Sequence, residues 1–278
     1  MTAETFDSEV LTLELDGHVA TLWLDRSEAR NAMDRRLFDD LPRAMAMLDH
    51  DESVRAIVLA GRGPHFCIGL DLKAMGPTLL RGGEGTVSGA ERSKRLALDI
   101  RHLQEAANSL AESPKPVIAA VQGYCIGGGV DLIAACDVRV AAHDAIFSVR
   151  EAKMAIVADL GSLQRLPRII GQGHVAELAL TGKDIDAARA GEIGLVNHVL
   201  ESHEAMLACA LSIAREIASN SPLAVQGTKA VLAANDGRTM AEALDFVANW
   251  NTMYLSSADL TEALTAFLEK RPPHFEGR

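Results

Sequence analysis

The stretch from Pro116 to Gly161 limits the folds open to this chain more than any other. Pro114 and Pro116 force extended backbone ahead of the apolar run Val117 to Val121. That run reads as a strand and leads into the turn Gly123-Tyr124-Cys125-Ile126-Gly127-Gly128-Gly129, which opens a helix carrying Asp131. Strand-like residues follow to Val149, and then Glu151 and Asp159 appear. Three carboxylates behind one glycine turn form a chemical pattern, because burying a carboxylate without partners is costly and is tolerated mainly where chemistry uses it.

Composition narrows the function before any motif is read. The chain has 278 residues, 48% hydrophobic and 23% charged, enough for one large or two small domains around a real core. A net charge of -11 argues against a nucleic-acid surface, since phosphate binding draws on clustered Lys and Arg. Cys67, Cys125, Cys136 and Cys209 form no CxxC pair, so neither a disulfide framework nor a zinc site is expected, and a reducing compartment fits. Met1 to Val10 carries Glu4, Asp7 and Glu9 and no apolar signal segment, and no run approaches the roughly 18 apolar residues of a membrane span. The expectation is a cytoplasmic protein without a membrane span.

Along the chain, Val10 to Leu15 and Val19 to Leu24 flank Asp16-Gly17 and predict a hairpin. Leu37, Leu41, Met45 and Leu48 recur at helical spacing within Asp34 to Asp49, ahead of a strand at Ala56 to Ala60. Gly61 to Gly69 reads as a loop, and Gly76 to Gly89, crowded with small residues, as either a lid or a disordered connection. A long helix is expected from Ala90 to Ala111. The first half therefore repeats ββα turns of chain, and beyond Ser162 the pattern is almost wholly helical. The expected division is a β-rich core at residues 1–200 and a helical domain at 201–278.

The triple glycine does not complete a dinucleotide fingerprint, because the residue that would finish GxGxxG from Gly127 is Leu132. At a helix start it lets backbone N–H groups approach a ligand closely, and such a corner can hold an oxyanion; close packing of strand on helix would call for the same residues. Each acid has a plain alternative as well: Asp131 complements a helix dipole, Glu151 ends an edge strand, and Asp159 caps the helix near Ser162. Polarising a carbonyl while moving protons beside it needs donors and carboxylates in one pocket, which favours reading them together. No GxSxG elbow occurs, no His partner can be assigned to Cys67 or Cys125, and His65, His102 and His143 lack metal-ligand spacing, so no metal is expected.

At these residues the chain resembles the enoyl-CoA hydratase/isomerase (crotonase) superfamily over nearly its full length. The resemblance rests on Leu24-Asp25-Arg26-Ser27-Glu28-Ala29-Arg30-Asn31-Ala32-Met33, on Phe66-Cys67-Ile68-Gly69-Leu70-Asp71-Leu72, on Pro114 through Gly129, and on Phe267-Leu268-Glu269-Lys270-Arg271. It implies an α/β fold with a crotonase-like spiral core of repeated ββα units, a helical C-terminal trimerisation domain, a homo-oligomer assembled as a hexamer from a dimer of trimers, and an acyl-CoA substrate. By motif position it implies an oxyanion hole made by the backbone N–H groups of Leu70 and Gly128, and CoA contacts from Lys73 and Lys270. CoA is then part of the substrate, and no separate cofactor is expected. In the hydratase pattern two glutamates stand 20 residues apart, and here Asp131 replaces the first of them, ahead of Glu151. With Asp159 as a third acid, the residues look like the delta(3,5)-delta(2,4)-dienoyl-CoA isomerase branch, used in fatty acid beta-oxidation. That resemblance implies a dienolate formed with Glu151 as base at C2 and Asp159 as acid at C6, or the reverse, while Asp131 tunes or orients them. A 2-enoyl-CoA hydratase holding water between Asp131 and Glu151 and a non-catalytic CoA-binding protein are the alternatives.

Overall fold

The hairpin forms around Asp16-Gly17 as expected. Gly17 takes φ +58°, a left-handed conformation that glycine adopts without steric cost, and β1 (Leu11–Asp16) pairs antiparallel with β2 (Val19–Leu24). The computed structural model describes residues 6–80 and 88–278. After the hairpin come α1 (Arg35–His50), β3 (Ala56–Gly61), α2 (Leu72–Leu80), α3 (Gly89–Glu112), β4 (Val117–Val121), β5 (Tyr124–Ile126), α4 (Gly128–Ala134), β6 (Val138–Ala142) and β7 (Ile146–Ser148). The remainder is α5 (Ser162–Ile170), α6 (Gln172–Thr181), β8 (Ile185–Asp186), α7 (Ala187–Glu192), β9 (His198–Leu200), α8 (His203–Ala218), α9 (Pro222–Ala234), α10 (Met240–Tyr254) and α11 (Ala258–Glu269).

Two sheets result. The larger runs in the order β1-β2-β3-β4-β6-β9 and is parallel after its first pair; the smaller is β5-β7-β8. Successive turns of chain lay one strand in the large sheet and the next in the small one, β4 then β5, β6 then β7, so the expected ββα repeat is wound as a spiral. The turn containing β3 contributes only a bridge to the small layer, Cys67 opposite Cys125, because the chain from Gly61 to Gly69 is spent as loop.

Strand periodicity divides the core. Ile57 and Leu59 of β3 face the helices through Leu41, Met45, Leu110 and Leu132, while Ala56, Val58 and Ala60 face Met206, Ala210 and Ala214 of α8. Both faces of the strand are covered, which is why its sequence shows no polar alternation. The small alanines of α8, spaced by four, let that helix lie close to the sheet.

The region Gly76 to Gly89, expected as a lid or a disordered connection, needs correction. Asp71 Oδ1 accepts the N–H groups of Lys73 and Ala74 and so starts α2, which continues through Gly76 to Leu80. That N-terminal cap, together with the turns it nucleates, outweighs the roughly 1 kcal/mol that a single glycine costs a helix. At the other side Ser88 caps α3 by accepting the Glu91 N–H. Residues 81–87 of the expected lid lie outside the described residues.

Arg26 ties two helix starts together. Its guanidinium lies 3.0 Å from Asp34 Oδ2, at the cap of α1, and 3.0 Å from Asp71 Oδ2, at the cap of α2, and it also donates to Ala32 O. Between these points the Met33 N–H donates to Gly69 O at 2.8 Å and the Asp71 N–H to Met33 O at 2.9 Å, forming a parallel bridge between Met33 and Leu70. Arg26→Met removes the shared cation from two largely buried carboxylates. Asp34 keeps Arg36, so the expected destabilisation is about 3 kcal/mol, the low end for breaking a buried pair. Urea unfolding measures it, and a midpoint equal to the parent's would contradict it.

Candidate active site

Two glycine turns meet where the motifs had pointed. Gly69 stands at φ +83°, and a Cβ there would lie 2.8 Å from Ile126 O and 3.4 Å from Gly128 N. Gly127 stands at φ +54° and donates its own N–H to Ser148 O. The bridge to Met33 uses the Gly69 carbonyl and the Asp71 N–H, which leaves the Leu70 N–H on the opposite side of the strand. Gly128 is the first residue of α4, where an N–H has no intrahelical acceptor. Among the described residues neither the Leu70 nor the Gly128 N–H has a hydrogen-bond acceptor. The three glycines divide the two readings offered for them. Gly127 makes the turn, Gly128 supplies the free N–H, and Gly129 serves packing, since its Cβ would come within 2.7 Å of Cys67 O.

The three acids gather at this corner. Glu151 opens a 3-10 turn, Glu151–Met154, beyond β7, so it does not end an edge strand. Its Oε1 lies 3.1 Å from where a Gly127 Cβ would be, and its Oε2 is buried without a hydrogen-bond partner among the described residues. Burial, then the negative charge of Asp159, pushes the Glu151 carboxyl above the ordinary range, against hydrogen bonds from its own N–H and that of Arg150. Asp159 is raised as well, by burial.

Asp131 sits in the first turn of α4, 1% exposed, and its Oδ1 accepts the Ser162 N–H at 2.5 Å. The helix beginning at Ser162 thus receives its cap from Asp131. Its N-cap position is Gly161, at φ +123° with no side chain to offer, and Asp159, expected there as a possible cap, does not serve. Burial raises the Asp131 carboxyl from 3.8 to about 7, with the charges of Glu151 and Asp159 adding to the rise and the Ser162 N–H opposing it.

Other expected residues fall as follows. Lys73 is exposed in the first turn of α2, three residues beyond Leu70, and Lys270 is exposed at the left-handed cap of α11, φ 57°. Cys67 and Cys125 are free and buried, and burial pushes the Cys67 thiol up to about 12 and Cys125 well above its usual value, which disqualifies both as nucleophiles. His65 accepts the Tyr124 N–H rather than facing either thiol. Residue patterns assigned no role in the site to Ser162, Gln104 or Arg165. Gln104 Nε2 donates to Asp159 O at 2.6 Å, and Arg165 Nη1 to Leu160 O at 3.3 Å. The one local hint was Gln104 and Asn108, four apart on α3 beside the buried Ala107 and Leu110.

The chain is similar to known proteins over nearly its whole length. The family model described as Enoyl-CoA hydratase/isomerase matches residues 14–278. The chain is 41% identical over 276 residues to the peroxisomal Delta(3,5)-Delta(2,4)-dienoyl-CoA isomerase of Arabidopsis thaliana, covering 99% of each. It is 42% identical over 258 residues to the mitochondrial protein of the same name from Dictyostelium discoideum, covering 93% of this chain and 87% of that one. The crystal structure of an enoyl-CoA hydratase from Bacillus anthracis superposes with a TM-score of 0.88 at 30% identity, over 97% of this chain and all of that one.

The buried Asp131 carboxyl makes stability depend on pH. A carboxyl whose folded pKa is raised contributes stability that is fully present below its unfolded value near 3.8 and lost as pH rises through about 7. Asp131→Asn keeps an oxygen to accept the Ser162 N–H but has no charge to bury. Relative to the parent it is expected to gain on the order of 1–3 kcal/mol at about pH 8 and little at about pH 4. Thermal melts across this range measure the difference, and one that does not grow with pH would contradict the assignment.

Proposed function

This chain belongs to the enoyl-CoA hydratase/isomerase family, and on that footing we propose that it is a delta(3,5)-delta(2,4)-dienoyl-CoA isomerase of fatty acid beta-oxidation. More coarsely, it is a crotonase-family acyl-CoA enzyme. The observation that carries the finer reading is the third acid: Asp159 is close enough to raise the Glu151 carboxyl, beside a corner with two free N–H groups.

The substrate's chemistry assigns the parts. In a 3,5-dienoyl thioester a C2 proton lies between the carbonyl and the diene, and its removal by Glu151 leaves a dienolate with charge spread from the thioester oxygen to C6. The N–H groups of Leu70 and Gly128 stabilise that oxygen, as donors fixed before the charge develops. Asp159 protonates C6, giving the conjugated 2,4-diene with no water added and no electrons exchanged. Burial raises both carboxyls, which is the direction a proton carrier needs when it works well above the ordinary carboxyl range. Asp131 orients the site through Ser162. This engagement counts against the 2-enoyl-CoA hydratase alternative, in which Asp131 would hold a water with Glu151. A non-catalytic CoA-binding role is disfavoured by the buried, unpartnered Glu151 Oε2, which a protein with no use for it would be expected to pair.

Lys73 and Lys270 are proposed as contacts for the CoA phosphates, the first from its place next to the oxyanion strand. A division at residues 200 and 201 is kept, with the helical part making a hexamer as a dimer of trimers. The support is apolar surface: Leu232, Met240, Leu244, Met253, Phe267 and Leu268 are exposed, and a cavity of about 750 Å³ lined by Leu223, Leu232, Trp250 and Tyr254 lies in the helical layer. No helix among the described residues is long and apolar enough to cross a membrane. A cytoplasmic location is proposed on the free cysteines, whereas the relatives compared above carry peroxisomal and mitochondrial in their names.

The test separates the two proton steps. Asp159→Asn is expected to slow conversion of 3,5-dienoyl-CoA to the 2,4-isomer by about 100-fold or more, the loss typical of a missing general acid. Deuterium uptake at C2 in heavy water persists in that variant and vanishes in Glu151→Gln. A folded Asp159→Asn enzyme working at the parental rate would overturn the assignment. For the assembly, light scattering is expected to report a hexamer, and a monomer at micromolar concentration would contradict it.

A further inference from the structure

The segment carrying Asp159 has no regular structure of its own. From Val157 to Leu160 the backbone belongs to no helix or ladder, so its carbonyls depend on side chains brought from elsewhere. Two such side chains are present. Gln104 Nε2 of α3 donates to Asp159 O at 2.6 Å, and Arg165 Nη1 of α5 donates to Leu160 O at 3.3 Å. Arg165 is itself held from α3, its Nη2 donating to Asn108 Oδ1 at 2.7 Å. Gln104 and Asn108 lie one helical turn apart on α3, so one face of one helix fixes two consecutive carbonyls.

The glycine that follows leaves room for this arrangement. At Gly161 a Cβ would fall 1.9 Å from Arg165 Nη1, and the backbone stands at φ +123°, so the guanidinium occupies the space that a side chain would take. On the other side of the segment, the Leu160 side chain reaches to 3.7 Å from where a Gly128 Cβ would be. The acid segment is therefore clamped between α3 and the oxyanion corner.

The geometry points to Gln104 and Arg165 as positioning residues that hold Asp159 at the height where it reaches the far end of the dienolate. This rests on Asp159 being the acid at C6. Glu151 is placed by its own 3-10 turn and by Gly127, independently of α3, so loosening the clamp affects the C6 step and spares the C2 step.

Gln104→Leu is the cleaner variant, because it removes a donor of similar size and changes no charge near the acids. Isomerisation of 3,5-dienoyl-CoA is expected to fall about 10- to 100-fold in kcat, the scale of a misplacement near 1 Å, with KM and C2 deuterium uptake within about twofold of the parent. Arg165→Met is expected to show the same split. A loss that lowers C2 uptake and isomerisation together would mark a general structural role and overturn the inference, as would parental isomerisation in both variants. Asp159→Asn, run alongside, separates the layers. If it is impaired while neither Gln104→Leu nor Arg165→Met is, the positioning role alone fails. If it is unimpaired, the assignment of Asp159 fails and the positioning role falls with it.

Discussion

The candidate site of this protein depends on backbone touching backbone. At Gly69 a single added carbon would collide with Ile126 O at 2.8 Å, and at Gly129 with Cys67 O at 2.7 Å. Only glycine permits the loop after β3 to lie against the turn after β5 at that distance, and the approach puts the start of α4 beside Leu70. The rest of the fold serves this contact from both sides. The Met33 bridge and the Arg26 ion pairs hold the Leu70 strand, and the parallel pairing of β3 with β4 brings the glycine turn to it.

The cost of the site is electrostatic. Three carboxyls share a buried corner, each raised by the removal of water. The fold moderates that cost at one of them, where the buried Asp131, in the first turn of α4, accepts the first N–H of α5 across 31 residues of sequence. At Glu151 one carboxylate oxygen, Oε2, stays without a partner among the described residues. A site arranged for stability alone would pair every oxygen, and leaving Glu151 Oε2 unpaired is the kind of local violation expected where function is served.

Elsewhere, long-range order is supplied by single polar side chains crossing between elements. Lys115 at the start of β4 donates to Leu48 O and Asp51 O at the end of α1, and Lys229 of α9 donates to Lys115 O and pairs with Asp137. Arg55 reaches Ala218 O and Phe275 O, fastening the helical layer and the carboxy-terminal chain to the sheet. Each satisfies backbone carbonyls that no ladder reaches, which is how irregular ends of elements remain buried.

The sequence by itself determined what repeats or recurs locally. The hairpin at Gly17, the apolar face of α1, the strand before the glycine turn and the glycine turn itself were all legible, because period, proline and glycine act within a few residues. The acids were legible as a set, since they follow one turn of chain. Tertiary structure alone decided their partners. That Asp131 rather than Asp159 caps α5, and that Gln104 and Arg165 hold the acid segment, could not be read in advance, because two of those bonds join residues 31 and 55 apart and all three run to backbone N–H or C=O groups that carry no residue signature. The helix through Gly76 was missed for a related reason: its intrinsic preference is poor, and the Asp71 cap that starts it is identifiable only once Arg26 and Met33 have fixed where Asp71 stands.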